Sequence, residues 1–197
     1  MILYCATGNP GKLREFQLAA EIENIHVQIV PDLKNIPAPE ETGATFEENA
    51  TLKACYYSRF VPGLVFCDDS GLEVDALGGA PGVYSARYAG AQGDDKANNR
   101  LLINNLAGIE DRTARFVCAI ALARQGKPVH VLRASVQGVI IDEERGPNGF
   151  GYDPLFFYPP FGCTFGEADS TRKHEVSHRA RAFRQIISYL QHTKGEA

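Results

Sequence analysis

Residues 2–6, Ile-Leu-Tyr-Cys-Ala, form a short apolar run that stops at the turn Thr7-Gly8-Asn9-Pro10-Gly11. Leu13, Phe16, Ala19 and Ala20 then recur at helical spacing. No other stretch constrains the fold as strongly, because a buried strand leading through a glycine turn into a helix is the opening unit of an α/β layer structure. The same grammar recurs. Residues 26–30 read as a second strand and residues 32–45 as a loop broken by Pro37, Pro39 and Gly43. Thr45 with Glu48 then has capping-box spacing ahead of a helix that carries Phe46, Ala50, Ala54 and Tyr57 on one side. Residues 64–67 form a short buried strand that ends in Asp68-Asp69-Ser70-Gly71. The glycine-rich stretch 71–93, with Pro81 inside it, reads as an irregular loop, and residues 94–106 return to helical spacing. Two apolar, β-branched runs at 114–124 and 128–141 flank Gln125-Gly126-Lys127, the pattern of an antiparallel hairpin. Residues 143–151 are turn-rich, residues 154–157 make a short strand, and residues 178–191 close the chain as a helix with Phe183, Ile186, Ile187 and Leu190 inward. The fold class expected is α/β, a mixed sheet with flanking helices.

At 197 residues the chain fits one domain spanning 1–197, or one domain with two lobes around a cleft. Twenty Lys and Arg against 24 Asp and Glu leave a net charge of -4, the wrong sign for holding polymeric nucleic acid by phosphate neutralisation. Any anionic ligand must therefore be met locally. The five cysteines, Cys5, Cys55, Cys67, Cys118 and Cys163, show no metal-ligand or paired spacing, which points to a reducing compartment. No basic leader precedes residues 2–6, and no apolar run approaches the roughly 20 residues needed to span a bilayer, so a cytoplasmic protein with no membrane partner is expected.

Four constellations could carry chemistry. The turn 7–12 offers backbone N–H groups, a helix N-terminus and Lys12 to an anion, although a purely structural turn has the same appearance. It is not a Walker A loop, because Leu13 stands where a hydroxyl would follow the lysine. Asp68 and Asp69 sit side by side on a strand, so their side chains point to opposite faces; one lines a site while the other pairs with a base or caps a turn. A carboxylate from Glu40-Glu41 meeting Asp69 would make a hard-oxygen site suited to Mg²⁺, the alternative being solvated acidic loops. Phe150-Gly151-Tyr152-Asp153 sets aromatic faces beside a carboxylate, as either a nucleobase platform or core packing. Lys173, His178 and Arg179 add a late basic cluster, while His130 and His174 are expected at the surface. Together these point to a nucleoside triphosphate and a divalent ion.

The ordered set T-G-N-P-G-K at 7–12, E-E-T-G-A-T-F-E-E-N-A at 40–50, D-D-S-G-L-E-V-D-A-L-G-G-A-P-G-V-Y-S-A-R-Y-A-G at 68–90, F-G-Y-D-P at 150–154 and S-H-R at 177–179 closely resembles the inosine/xanthosine triphosphate pyrophosphatase family. The likeness runs along nearly the whole chain. It implies hydrolysis of ITP, dITP and XTP to monophosphate and pyrophosphate, a two-lobed α/β fold with a central cleft, a homodimer and Mg²⁺. By this resemblance Thr7, Gly8, Asn9, Pro10, Gly11 and Lys12 would hold the triphosphate, and Glu40 and Asp69 the metal, with Asp69 also the general base. Ser70 would contact substrate, Phe150, Gly151, Tyr152 and Asp153 would grip the base, Lys173 would help bind phosphate, and His178 with Arg179 would read the 6-oxo edge. Ala180 departs from the glycine usual after the His-Arg pair, and the acidic run usual around residues 169–173 is altered. Two other classes remain open: a pyrophosphatase for modified pyrimidine triphosphates, and a non-catalytic nucleotide sensor.

Overall fold

The computed structural model describes residues 2–194. Its elements are β1 (Ile2–Cys5), α1 (Pro10–Ile22), β2 (His26–Ile29), α2 (Phe46–Tyr57), β3 (Leu64–Val74), α3 (Asp95–Asn105), β4 (Thr113–Arg124), β5 (Lys127–Ile140), β6 (Phe156–Tyr158), β7 (Cys163–Thr164), α4 (Ser170–Val176) and α5 (His178–Lys194). The strands form one sheet in the order β2-β1-β3-β4-β5-β6-β7. β1 runs parallel to both β2 and β3, whereas β5, β6 and β7 pair antiparallel, so the sheet is mixed as expected. Gln125 and Gly126, both at positive φ, join β4 to β5 in the manner of a tight hairpin turn.

The chain divides into two compact units, and β3, β4 and β5 contribute residues to both. The first comprises Met1–Asp69, Cys118–Ala134 and Arg179–Ala197. Its core packs Leu3, Phe16, Leu64, Phe66, Ile120, Phe183 and Ile186, with the rings of Phe16, Phe66 and Phe183 mutually in contact at 5.1, 5.9 and 5.6 Å. Leu64 and Phe66 are two apart on β3 and share a face, which fixes where Asp68 points. Truncating a ring from such a cluster typically costs about 3–5 kcal/mol. The second unit comprises Ser70–Val117 and Ser135–His178, with Leu72, Leu102, Phe116, Phe156 and Phe165 at its centre.

Two expectations change, and one element appears that the sequence pattern does not mark. β3 does not stop at residue 67 but continues to Val74, because the two aspartates inside it are buried and ion-paired rather than solvated. Residues 170–176, left without an element by the sequence pattern, form α4, whose N-cap Asp169 accepts from the Arg172 N–H at 2.8 Å. His174 is buried rather than at the surface. The capping box at Thr45 and Glu48 is present in both directions, at 3.2 Å each way. All five cysteines are free, and among the described residues no helix is long and apolar enough to cross a membrane.

Candidate functional site

In the first unit the turn after β1 is organised by Asn9, whose Oδ1 accepts from the Gly11 and Lys12 N–H groups at 2.8 and 3.0 Å while Pro10 occupies the first turn of α1. Thr7 Oγ1 in turn accepts from the Asn9 N–H at 3.3 Å. Its chain neighbours aside, no atom of the described residues lies within 4 Å of the place a Cβ would take on Gly8, so the backbone there is open to approach. The Lys12 ammonium reaches back to the sheet and pairs with Asp68 Oδ2 at 2.9 Å.

The neighbouring carboxylates of β3 have separate partners. Asp68 faces α1 and α5, meeting Lys12 and, at 3.8 Å, the Arg179 guanidinium, which also donates to Glu15 at 2.7 Å. Asp69 faces α2, where Asn49 Nδ2 donates at 3.3 Å and the Lys53 ammonium lies 3.1 Å away. That same ammonium pairs with Glu41 at 2.8 Å. Burial alone would raise the Asp68 carboxyl, but Lys12, Arg179 and Lys53 outweigh it and hold it at about 2. Asp69 moves the other way: burial dominates and Glu41 adds to it, so its carboxyl is raised despite Lys53 and Lys12. Burial disfavours the Lys53 ammonium, yet Asp69, Asp68 and Glu41 together raise its pKa, and Arg179 is likewise held charged by Glu15 and Asp68 against its burial.

The second unit carries a cluster of its own. Asp153 Oδ2 accepts from the Phe150 N–H at 2.9 Å and pairs with the buried Lys173 ammonium at 2.6 Å. That ammonium also lies over the Phe150 and Phe165 rings, 5.2 and 5.7 Å from their centroids. A Cβ on Gly149, which is left-handed at φ +79°, would overlap the Asp153 carboxylate. Tyr152 is buried and its hydroxyl donates to the Ser85 carbonyl at 2.8 Å. His178, at the start of α5, stacks on Phe116 at 4.9 Å, and Ser70 is half-buried on β3 next to Asp69.

The model of the Ham1 family matches residues 3–189. The chain belongs to the Ham1 family. It is 50% identical over 183 residues to the dITP/XTP pyrophosphatase of Listeria monocytogenes serovar 1/2a, a match covering 92% of this chain and 90% of that protein. It is 45% identical to the dITP/XTP pyrophosphatase of Exiguobacterium sibiricum across the full length of both. Among solved structures it resembles the Staphylococcus aureus Ham1 protein with a TM-score of 0.86 and 39% identity, again over both whole chains.

Within this Ham1 chain the structure gathers residues 7–12, Asp68, Asp69 and Arg179 in the first unit, and Ser70, residues 150–153, Lys173 and His178 in the second. Glu41, not Glu40, reaches the Lys53–Asp69 pair; Glu40 is exposed. Lys173 is placed on Asp153, beside the aromatic segment. Sequence reasoning missed Asn49, Lys53 and Glu15. Asn49 and Lys53 are four apart on α2, a spacing that sets two polar residues on one stripe beside the buried Phe46, Ala50 and Ala54. Polar residues bordering an apolar stripe of a helix next to an aspartate-bearing strand were the available signal. Glu15 left none, because its partner Arg179 lies 164 residues away.

Proposed function

We propose that the chain hydrolyses deaminated purine nucleoside triphosphates, dITP, XTP and ITP, to the monophosphate and pyrophosphate, clearing them from the nucleotide pool of the cytoplasm. It acts as a homodimer with Mg²⁺. The observation that carries this reading is the convergence of the Glu41 and Asp69 carboxylates on one cationic centre, 2.8 and 3.1 Å from the same ammonium. The named activity of relatives 50% identical to the chain supports it.

The donor set fits Mg²⁺. This ion takes one or two carboxylates and completes its shell with water and substrate phosphates, so it needs no all-protein cage. Among the described residues no group of three or more His, Cys, Asp or Glu could hold a metal, so two carboxylates are what this site would offer such an ion. Asp69 and a carboxylate of the Glu40-Glu41 pair would hold the ion, and when bound it would neutralise charge on the phosphates. Water attacks the α-phosphorus and bonds to it as the bond from that phosphorus to the α–β bridging oxygen breaks; pyrophosphate leaves with the bridging oxygen, and the proton of the water passes to Asp69. Asp69 is buried on β3 and held by Asn49 and Lys53, which fixes its carboxylate in place to accept that proton. Residues 7–12 bind the triphosphate, Ser70 and Lys173 contact substrate, and residues 150–153 receive the base. His178 and Arg179 read the 6-oxo group, which adenine lacks. A donor left unpaired by adenine is worth up to about 10⁴-fold in discrimination.

The test is a substrate panel with pyrophosphate detection, with and without Mg²⁺. Metal-dependent pyrophosphate release from dITP, ITP and XTP, with much weaker action on ATP and GTP, is expected. Equal turnover of all purine triphosphates, orthophosphate as first product, preference for modified pyrimidines, or tight binding with no product would each overturn the reading.

A further inference from the structure

α3 contributes no residue to the chemistry above, yet it holds one residue of the base-receiving segment by both of its backbone groups. Asp95 Oδ2 accepts from the Gly151 N–H at 2.7 Å, and Asn99 Nδ2 donates to the Gly151 carbonyl at 3.2 Å. Four residues apart, the two side chains share one face of the helix. Asn99 is buried, and its Nδ2 also donates to Glu144 at 2.7 Å, which orients the amide because both partners are acceptors. The contacts bridge 56 and 52 residues of sequence, so they are not part of the local turn. Gly151 itself is left-handed, at φ +60°, and lies between two residues with contacts of their own: the Phe150 N–H donates to Asp153 and the Tyr152 hydroxyl to the Ser85 carbonyl.

We propose that Asp95 and Asn99 are positioning residues that fix the Gly151 peptide, set where Phe150, Tyr152 and Asp153 stand, and thereby sharpen the ranking of purine bases. This rests on the reading of residues 150–153 as the segment that receives the base. Purine triphosphates differ by single groups on the ring, so rejecting one of them depends on leaving a polar group unpaired or crowded. A segment free to shift relieves that mismatch; a clamped one does not. Loosening the clamp should therefore cost discrimination and base affinity while leaving recognition of the bare triphosphate intact.

The experiment measures kcat and KM for ITP and GTP, by pyrophosphate release, in the wild-type protein and in Asp95→Ala, Asp95→Asn and Asn99→Asp. Inhibition by inorganic tripolyphosphate, which has no base, and the melting temperature are followed in parallel. Asp95→Ala should raise KM for ITP and lower the ITP/GTP ratio of kcat/KM about tenfold, less than the roughly hundredfold that a full 1 Å misplacement can cost. Asp95→Asn, whose amide oxygen still accepts from Gly151, should restore most of both. Asn99→Asp sets an acceptor against Glu144 and the Gly151 carbonyl and should lose more. Tripolyphosphate inhibition should not change. An unchanged ITP/GTP ratio in Asp95→Ala, an equal loss in Asp95→Asn, or a parallel loss of tripolyphosphate inhibition would overturn the proposal. Asp95 is exposed, so its variants decide the matter even if the buried Asn99→Asp does not fold. A wild-type protein that releases no pyrophosphate from ITP would instead overturn the functional reading.

Discussion

Replacing Asp68 by Asn keeps the shape of the side chain and removes the charge that Lys12 and Arg179 share. The structure sets the size of the loss. Asp68 is buried, and its carboxyl lies at about 2 against an ordinary 3.8. At about 1.4 kcal/mol per pKa unit, the charged form is favoured by the fold by about 2–3 kcal/mol. Breaking a buried pair by removing one partner typically costs about 3–5 kcal/mol, and the Asn oxygen keeps one hydrogen bond to Lys12, so the linkage figure and the geometry agree. In a chain of this length each kcal/mol moves the midpoint by about 2–4 °C, which gives a drop of about 5–10 °C at pH 7. The sign with pH follows from the depressed folded value. The contribution is fully present above the ordinary carboxyl range and is lost as pH falls from about 5 through about 2, so wild type and variant should converge in acid. Thermal unfolding of both proteins between pH 3 and 7, followed by circular dichroism, provides the comparison. A variant that melts within about 1 °C of wild type at pH 7, or a gap that stays constant down to pH 3, would refute the account.

Asp69→Asn should abolish pyrophosphate release while leaving the far-ultraviolet spectrum unchanged, since the amide keeps the contact to Asn49 but cannot accept the proton; near-normal kcat would remove Asp69 from its proposed role. Lys12→Ala should mainly raise KM, by about tenfold for one charge-assisted contact, and unchanged steady-state constants would put residues 7–12 outside the site. Gly149→Ala sets a side chain at φ +79° against the Asp153 carboxylate and should destabilise by about 2 kcal/mol or more, read as a fall in urea midpoint; an unchanged midpoint would mean the turn relaxes freely.

What the sequence shows of this molecule follows the range of the forces involved. Helical and strand periods are local, so α1, α2, α3 and the β4–β5 hairpin are legible from spacing, and Thr45 with Glu48 announces its own cap. α4 is short and mostly polar, with no apolar stripe to mark it; its start is set by a single cap at Asp169. Ion pairs are the least legible, because a carboxylate's partner depends on which helix crosses its side of the sheet. The acidic pair at 40–41 marks a loop with carboxylates to offer, but not which of them packs inward. Only the packing of α2 singles out Glu41 by bringing Lys53 to it. Lys53 itself lies in a segment whose cap and apolar stripe already account for it as helix surface.

The alternation of β3 turns two identical side chains into two different groups. Asp68 shares its face with Leu64 and Phe66, against the core that α1 and α5 complete, and meets two cations there. Asp69 turns toward α2 and meets one cation that it must share with Glu41. The consequence is opposite displacement of two carboxyls from the same ordinary value, one lowered to about 2 and the other raised. A carboxylate held that low is a poor proton acceptor and a strong anchor for Lys12 and Arg179. Asp69, beside a second carboxylate with which it shares the Lys53 ammonium, is the better partner for an added cation. Under the proposed mechanism, adjacent aspartates on a strand thus divide the labour, Asp68 holding the cationic scaffold and Asp69 taking the proton, and exchanging their environments rather than their identities would exchange those roles.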